Sequence, residues 1–294
     1  MSDCISPAAW KIGEAALRGM LYEVGCYPSP GLVSPISSGL HTDMDFFTFL
    51  NSTAVLAPAM YRCAQIGLDE EENLLPKLRV IGQQTEREMF RATNKVNTQK
   101  GLLFLAGIVC ASAGQCVRQG EKVIRQNIVG HCRRICKGIV GQELAAVSVD
   151  EQLSHGQRLY KEFGALGVRG EIADGLPSVI QVGLPLYEEA LQGGLTARET
   201  VVHCLVGMMS RVEDTTVMHR SGLDGHHKMR KAGARFIQLG GMKTASGQKY
   251  LTFLKSFFIK NKISPGGAAD LAAVTIMIYH LEKSNFSELH SKNR

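Results

Sequence analysis

Aromatic side chains are scarce in this chain of 294 residues: they form 6% of it, with a single tryptophan. Little material is left for the stacking platforms that hold single-stranded nucleic acid. Charge is also thin, at 20% of residues, and 33 basic against 27 acidic side chains leave a net of +6. An excess of that size suits an anionic small molecule as well as a polymer, and with so few aromatics no nucleic-acid partner is expected. The longest charge-free, apolar-rich stretch, Gly101 to Val117, contains Ser112, Gln115 and three glycines. It falls short of the roughly 18–20 clean apolar residues of a membrane span, so it is expected as a buried helix, with no membrane partner. Secretory features are missing as well: Asp3 stands where a signal peptide carries lysine or arginine, and no small-residue cleavage site follows an apolar stretch. Eight scattered cysteines then read as reduced thiols in a cytoplasmic protein.

Several signatures of familiar chemistry are absent. There is no G-x-x-x-x-G-K-S/T phosphate loop, no G-x-G-x-x-G after a strand, no H-E-x-x-H and no G-x-S-x-G. His131, Cys132 and Cys136 lie close in sequence, but a closed zinc site needs four ligands and no second cluster offers them. His226-His227 reads as surface. The basic run from Arg118 to Lys137 reads as the wet face of a helix.

What the chain does carry is helix punctuation. Ser6-Pro7 is an N-cap followed by proline at the first helical position, and Leu17, Met20, Leu21 and Val24 follow at helical spacing. Ser148 with Glu151, and Thr196 with Glu199, have capping-box spacing ahead of periodic apolar residues. Alternating β-branched runs are nearly absent, and Val179 to Val182 is too short to organise a sheet. With 45% hydrophobic residues and no long Pro/Ser linker, the expected architecture is all-α: one large multi-helix domain over 1–283, its site at helix ends and loops, and a polar tail over 284–294.

Polar residues gather at those helix ends. Ser264-Pro265 starts an apolar helix, Gly266 and Gly267 permit close backbone approach, and free first-turn amides attract phosphate. Asp270 lies on the same helix and needs a cation or donors if buried. Glu23 closes the first helix. His41, Thr42 and Asp43 precede a helix bearing Phe46, Phe47 and Leu50, where Thr42 or Asp43 can cap, His41 can move a proton and Asp43 can bind a hard cation. Thr93, Asn97, Thr98 and Lys100 lead into the most apolar helix; Arg169, Glu171 and Asp174 lie among glycines; Glu213, Asp214, His219 and Arg220 follow a Met-rich segment.

In this order the clusters resemble the triphosphoribosyl-dephospho-CoA synthase family, which makes the prosthetic-group precursor of citrate lyase and, in a sister branch, serves malonate decarboxylase. The resemblance runs from Glu23 to about Leu281. It is carried by E-x(4)-P-x-P-G from Glu23, G-x-H-x-D-M from Gly39, F-R-A-T-x(3)-N-T-x-K-G from Phe90, G-x-R-G-E from Gly167, G-x-P from Gly175, D-T at Asp214 followed by Arg220, and S-P-G-G-x-A-D from Ser264. Gln99, Thr216, Ser221 and Ser34 depart from the family pattern. The resemblance implies a helical fold and transfer of the triphosphoribosyl part of ATP to the ribose 2′-hydroxyl of 3′-dephospho-CoA, with adenine leaving. A following transferase then acts on an acyl carrier protein.

That chemistry passes through an oxocarbenium-like centre and calls for a carboxylate near the sugar, a base and neutralisation of a triphosphate. On this basis Glu23, His41 and Glu171 are the catalytic candidates, and Thr93, Asn97, Thr98, Lys100, Arg169, Arg220, Ser264, Gly266 and Gly267 the substrate- and phosphate-binding ones. Asp43, Asp214 and Asp270 are expected to hold magnesium. The competing classes are a magnesium-dependent ADP-ribosyl-type glycohydrolase, which passes the ribosyl unit to water, and a nucleotide-binding protein with a silenced site.

Overall fold

The computed structural model describes residues 5–145 and 153–286. Among them the regular elements are helical: α1 (Pro7–Gly25), α2 (Phe46–Asp69), α3 (Leu74–Ala92), α4 (Lys100–Arg118), α5 (Arg125–Ile135), α6 (His155–Phe163), α7 (Gly167–Ala173), α8 (Leu184–Gln192), α9 (Ala197–Met208), α10 (Thr215–Gln238), α11 (Ala245–Lys260) and α12 (Gly266–Lys283). Val179–Gly183 is a π-helical turn rather than a strand. The chain divides into two compact units, one of Met1–Leu21, Phe47–Lys137 and Ala273–Arg294, the other of Tyr22–Phe46 and Gly138–Ala272. Helix α12 ends where the polar tail was expected to begin, and residues 287–294 of that tail lie outside the described residues.

Two of the caps read from sequence are present. The Ser6 hydroxyl accepts from the Ala9 amide, and Thr196 with Glu199 forms a full capping box on α9. Ser148 and Glu151 fall outside the described residues; the helix expected after them starts at His155, capped by a box of Ser154 and Gln157. Neither Thr42 nor Asp43 sits in the first turn of α2, which begins at Phe46. On α1 the buried face runs through Ile12, Ala16, Met20 and Val24, whereas Leu21 is exposed.

In the first unit α4 is the core helix. It is long and apolar enough to cross a membrane, but 83% of its apolar window is buried inside the protein. Its neighbour α2 approaches closely: a β-carbon on Gly67 would lie 2.1 Å from the Ala111 carbonyl oxygen, and one on Gly114 2.5 Å from that of Ala64. Only glycine allows this approach, and the Gln115 amide uses it to donate to the Gly67 and Glu70 carbonyls. The basic run behaves as a solvated, paired face: Arg118 meets Glu71 and the end of α2, and Arg125 forms a bidentate pair with Glu282.

In the second unit α8 and α10 pack on α9, which is buried on nearly every side, and α11 packs on α10. Helix α10 is broken at Gly222, whose φ of 66° and ψ of −171° are non-helical. That conformation is strained for any residue with a β-carbon, and it ends a short first segment carrying His219 and Arg220. One expectation is corrected here. His226 is buried, with Nε2 3.0 Å from the Val212 carbonyl oxygen, because the second segment of α10 turns it inward; its neighbour His227 is exposed.

Candidate active site

The loop between α1 and α2 and the turn before α12 bring His41 and Ser264 together. His41 Nε2 lies 3.1 Å from Ser264 Oγ, and on the other side of the ring Asp43 Oδ1 is 3.7 Å from Nδ1. Nδ1 is buried and has no hydrogen-bond partner among the described residues. Burial and the Arg220 charge hold the imidazole pKa below its usual 6.5, against the pull of Asp43. His41 is therefore neutral at pH 7, with one nitrogen on a hydroxyl and a carboxylate placed to steady the imidazolium once a proton arrives.

Asp214 is fully buried and does something the sequence did not reveal. Its Oδ1 accepts from the Thr216 and Val217 amides, capping α10, while Oδ2 accepts from the Ala268 amide at 2.9 Å and the Gly267 amide also reaches the carboxylate. One side chain thus closes the N-termini of two helices. The Gly267 α-carbon faces it so closely that a β-carbon would lie 3.0 Å from Asp214 Cγ. The first-turn amides expected to meet phosphate therefore meet Asp214, and the Gly266 amide bonds to the Ser264 carbonyl. Glycine serves close approach, as expected, but the anion that approaches belongs to the protein.

The carboxylates of Glu23 and Asp270 have no such partners: no hydrogen bond or ion pair reaches either among the described residues. Glu23, at the end of α1, is buried, and burial raises its pKa to about 8. Asp270, half-buried, is driven well above the ordinary range by burial, with the charges of Glu23 and Asp214 adding to it. Two withdrawn carboxyl groups, both without donors, keep their protons at neutral pH and can exchange them for a cation.

The remaining candidates are engaged locally. Glu171 accepts from the Ser178 amide at 2.7 Å and its hydroxyl at 2.9 Å, so it braces the turn after α7, and burial still raises its pKa. Arg169 Nε is 2.5 Å from Glu143 Oε2. Glu213 takes the Leu166 and Gly167 amides. In the first unit, the Thr93 hydroxyl donates to the Met89 and Val96 carbonyls, Asn97 accepts from the Lys100 amide, Thr98 bonds to Ser52, and Lys100 pairs with Glu86 at 2.5 Å. Gln99 is buried against Thr53, and its Nε2 has no partner among the described residues.

The expected magnesium trio does not close. Asp43 attends His41 and Asp214 is saturated with amides, so among the described residues these aspartates form no group of three ligand atoms within 4.8 Å. The group that does is Cys116, Glu121 and His131 in the first unit, where Arg134 lies 2.9 Å from His131 Nδ1 and 3.0 Å from Nε2. All seven described cysteines are buried and free. Partners that sequence reasoning missed, such as Glu143, Ser178 and Ser52, lie on other elements and carry no motif.

Residues 9–288 match the family model described as CitG: ATP:dephospho-CoA triphosphoribosyl transferase. A probable 2-(5''-triphosphoribosyl)-3'-dephosphocoenzyme-A synthase of Malonomonas rubra is 37% identical over 291 residues, 97% of this chain and 92% of that protein. The 2-(5''-triphosphoribosyl)-3'-dephosphocoenzyme-A synthase of Klebsiella pneumoniae is 33% identical over 272 residues, covering 91% and 90%. Protein CitXG of Leuconostoc mesenteroides subsp. cremoris is 36% identical over 279 residues, covering 92% of this chain but 59% of the relative. No solved structure matches the chain.

Proposed function

This chain belongs to the ATP:dephospho-CoA triphosphoribosyl transferase family, and we propose that His41 is the base of the transfer. The 2′-hydroxyl of 3′-dephospho-CoA attacks C1′ of the ATP ribose, the C1′–N9 bond breaks, and adenine departs with the bonding electron pair. The hydroxyl proton passes to His41 Nε2, and adenine takes up one proton, so the reaction is neutral in protons. The observation that carries this assignment is a neutral, buried imidazole held 3.1 Å from the Ser264 hydroxyl, where the acceptor hydroxyl would be received. Asp43 stabilises the imidazolium.

The donor-free pair of Glu23 and Asp270 fits a hard cation. Magnesium needs one or two carboxylates and takes its other ligands from water and phosphate. Asp270 and Glu23 are the residues that would hold it, and when bound it supplies charge neutralisation for the triphosphate. Asp214 acts as a positioning residue that fixes Ser264 through the α12 turn. Arg220 contributes cationic charge beside His41.

The product is a prosthetic-group precursor of the kind citrate lyase requires, made in the cytoplasm and passed to a transferase acting on an acyl carrier protein. The longer CitXG relative supports such coupling, since this sequence accounts for 59% of it.

Mass spectrometry of ATP, magnesium and protein, with and without 3′-dephospho-CoA, tests the reading. Adenine formed with the acceptor alone, together with an acceptor heavier by one triphosphoribosyl group, is the expected result. Adenine in both reactions would establish hydrolysis instead, and none in either would leave nucleotide binding.

A further inference from the structure

A cluster of arginines and histidines in the second unit has no place in the acid–base assignments above. The capping box at Ser154 makes His155 the first residue of α6, and Arg158 follows one turn later on the same edge. Helix α6 packs on the first segment of α10 through Leu159, Ala165 and Met218. That contact stacks the His155 ring on His219, with centroids 4.0 Å apart and planes inclined by 28°. Arg220 is the next residue. Arg169 approaches from α7: its Nη1 would lie 3.3 Å from a β-carbon on Gly156.

Among the described residues, no hydrogen bond or ion pair joins His155, Arg158, His219 or Arg220 to a carboxylate. Burial depresses the His219 pKa first, and the charges of His155, Arg158 and Arg220 depress it further. Arg220 acts in the same way on His41. The arginine thus lies within electrostatic reach of both the base and the stacked histidines. Two arginines with no carboxylate partner are stabilised by an anion, and arginine and imidazole N–H groups are strong donors to phosphate oxygens.

We infer that His155, Arg158, His219 and Arg220 form the seat of the substrate's polyphosphate chain, leading away from His41 along α6 and α10. The break at Gly222 ends the first segment of α10 just beyond Arg220 and so leaves His219 and Arg220 at an accessible helix end. The identity of the substrate rests on the transferase reading; the anion site rests on the cation geometry. Both the triphosphate of ATP and the diphosphate of dephospho-CoA have the required chemistry.

Arg158→Gln and His155→Gln alter exposed side chains and should fold like the parent, as checked by circular dichroism. Initial rates are measured against each substrate in turn, with Lys249→Gln on α11 as the charge-matched control. The expected result is a KM about tenfold higher for one nucleotide in Arg158→Gln and several-fold higher in His155→Gln, with kcat within twofold and the control unchanged. A rise for ATP assigns the seat to the triphosphate, a rise for dephospho-CoA to the diphosphate; KM values within twofold of the parent for both substrates overturn the inference. Calorimetric titration with inorganic triphosphate keeps the test independent of turnover. If the parent forms no triphosphoribosyl product, the transferase reading fails, while triphosphate binding weakened at least fivefold in Arg158→Gln sustains the seat and equal binding rejects it.

Discussion

Asp214 and Asp270 belong to the same unit and both are withdrawn from water, yet their surroundings are opposite. Asp214 is met by four backbone amides from two helix starts, whereas Asp270 has none and faces the charge of Glu23. A carboxylate whose oxygens are all engaged by amides is part of the scaffold. One that is buried without donors opposes folding and is retained for what it binds. The residue type is the same and Asp214 is the deeper of the two; the supply of donors is what separates them most.

The sharpest way to break this comparison is to exchange the outcomes. His41→Asn should lower kcat by about 10²–10⁴-fold, the usual worth of a positioned base, with the fold unchanged by circular dichroism. In the parent, kcat/KM should fall as pH drops through the lowered His41 pKa, on the acid side of 6.5, because the neutral ring is the active form; the variant should lose this limb. Asp214→Ala orphans amides on two helices and should cost about 3–5 kcal/mol in urea unfolding. Asp270→Asn should do the reverse, adding about 1 kcal/mol of stability while turnover falls at least tenfold. Stability lost equally in both aspartate variants would erase the distinction.

Glu23 gives a titration version of the same test. Its folded pKa of about 8 exceeds the ordinary 4.5, so the native state binds the extra proton and stability falls as pH rises between those values. The parent should lose a few kcal/mol across that window, and Glu23→Gln should flatten the slope in denaturation at several pH values. The smallest effect is expected at Lys100, half of an exposed ion pair with Glu86. Lys100→Gln should change stability by less than about 1 kcal/mol in urea unfolding.

Local grammar made much of the fold legible. Ser6, Thr196 and the apolar span of α4 act over three or four residues or along one helix, and the structure holds each of them. The site was legible in its residue types and far less in its partnerships. Asp214 and Asp270 are alike as letters, and the amides that distinguish them come from Gly267 and Ala268, far along the chain. The pairing of Arg169 with Glu143 leaves no mark in the sequence, because Glu143 lies on another element. His226 looked like surface because the turn of the chain at Gly222 carries no sequence period.

The span of these contacts bears on how the protein comes into being. His41 is joined to a serine 223 positions later, and Asp214 to an amide 54 positions later. During synthesis the ribosome delivers His41 early and the Ser264 turn near the end, so a chain stalled before that turn holds an imidazole with no hydroxyl opposite it and an aspartate missing half of its amides. Both long-range contacts therefore form only after residue 268 has been made.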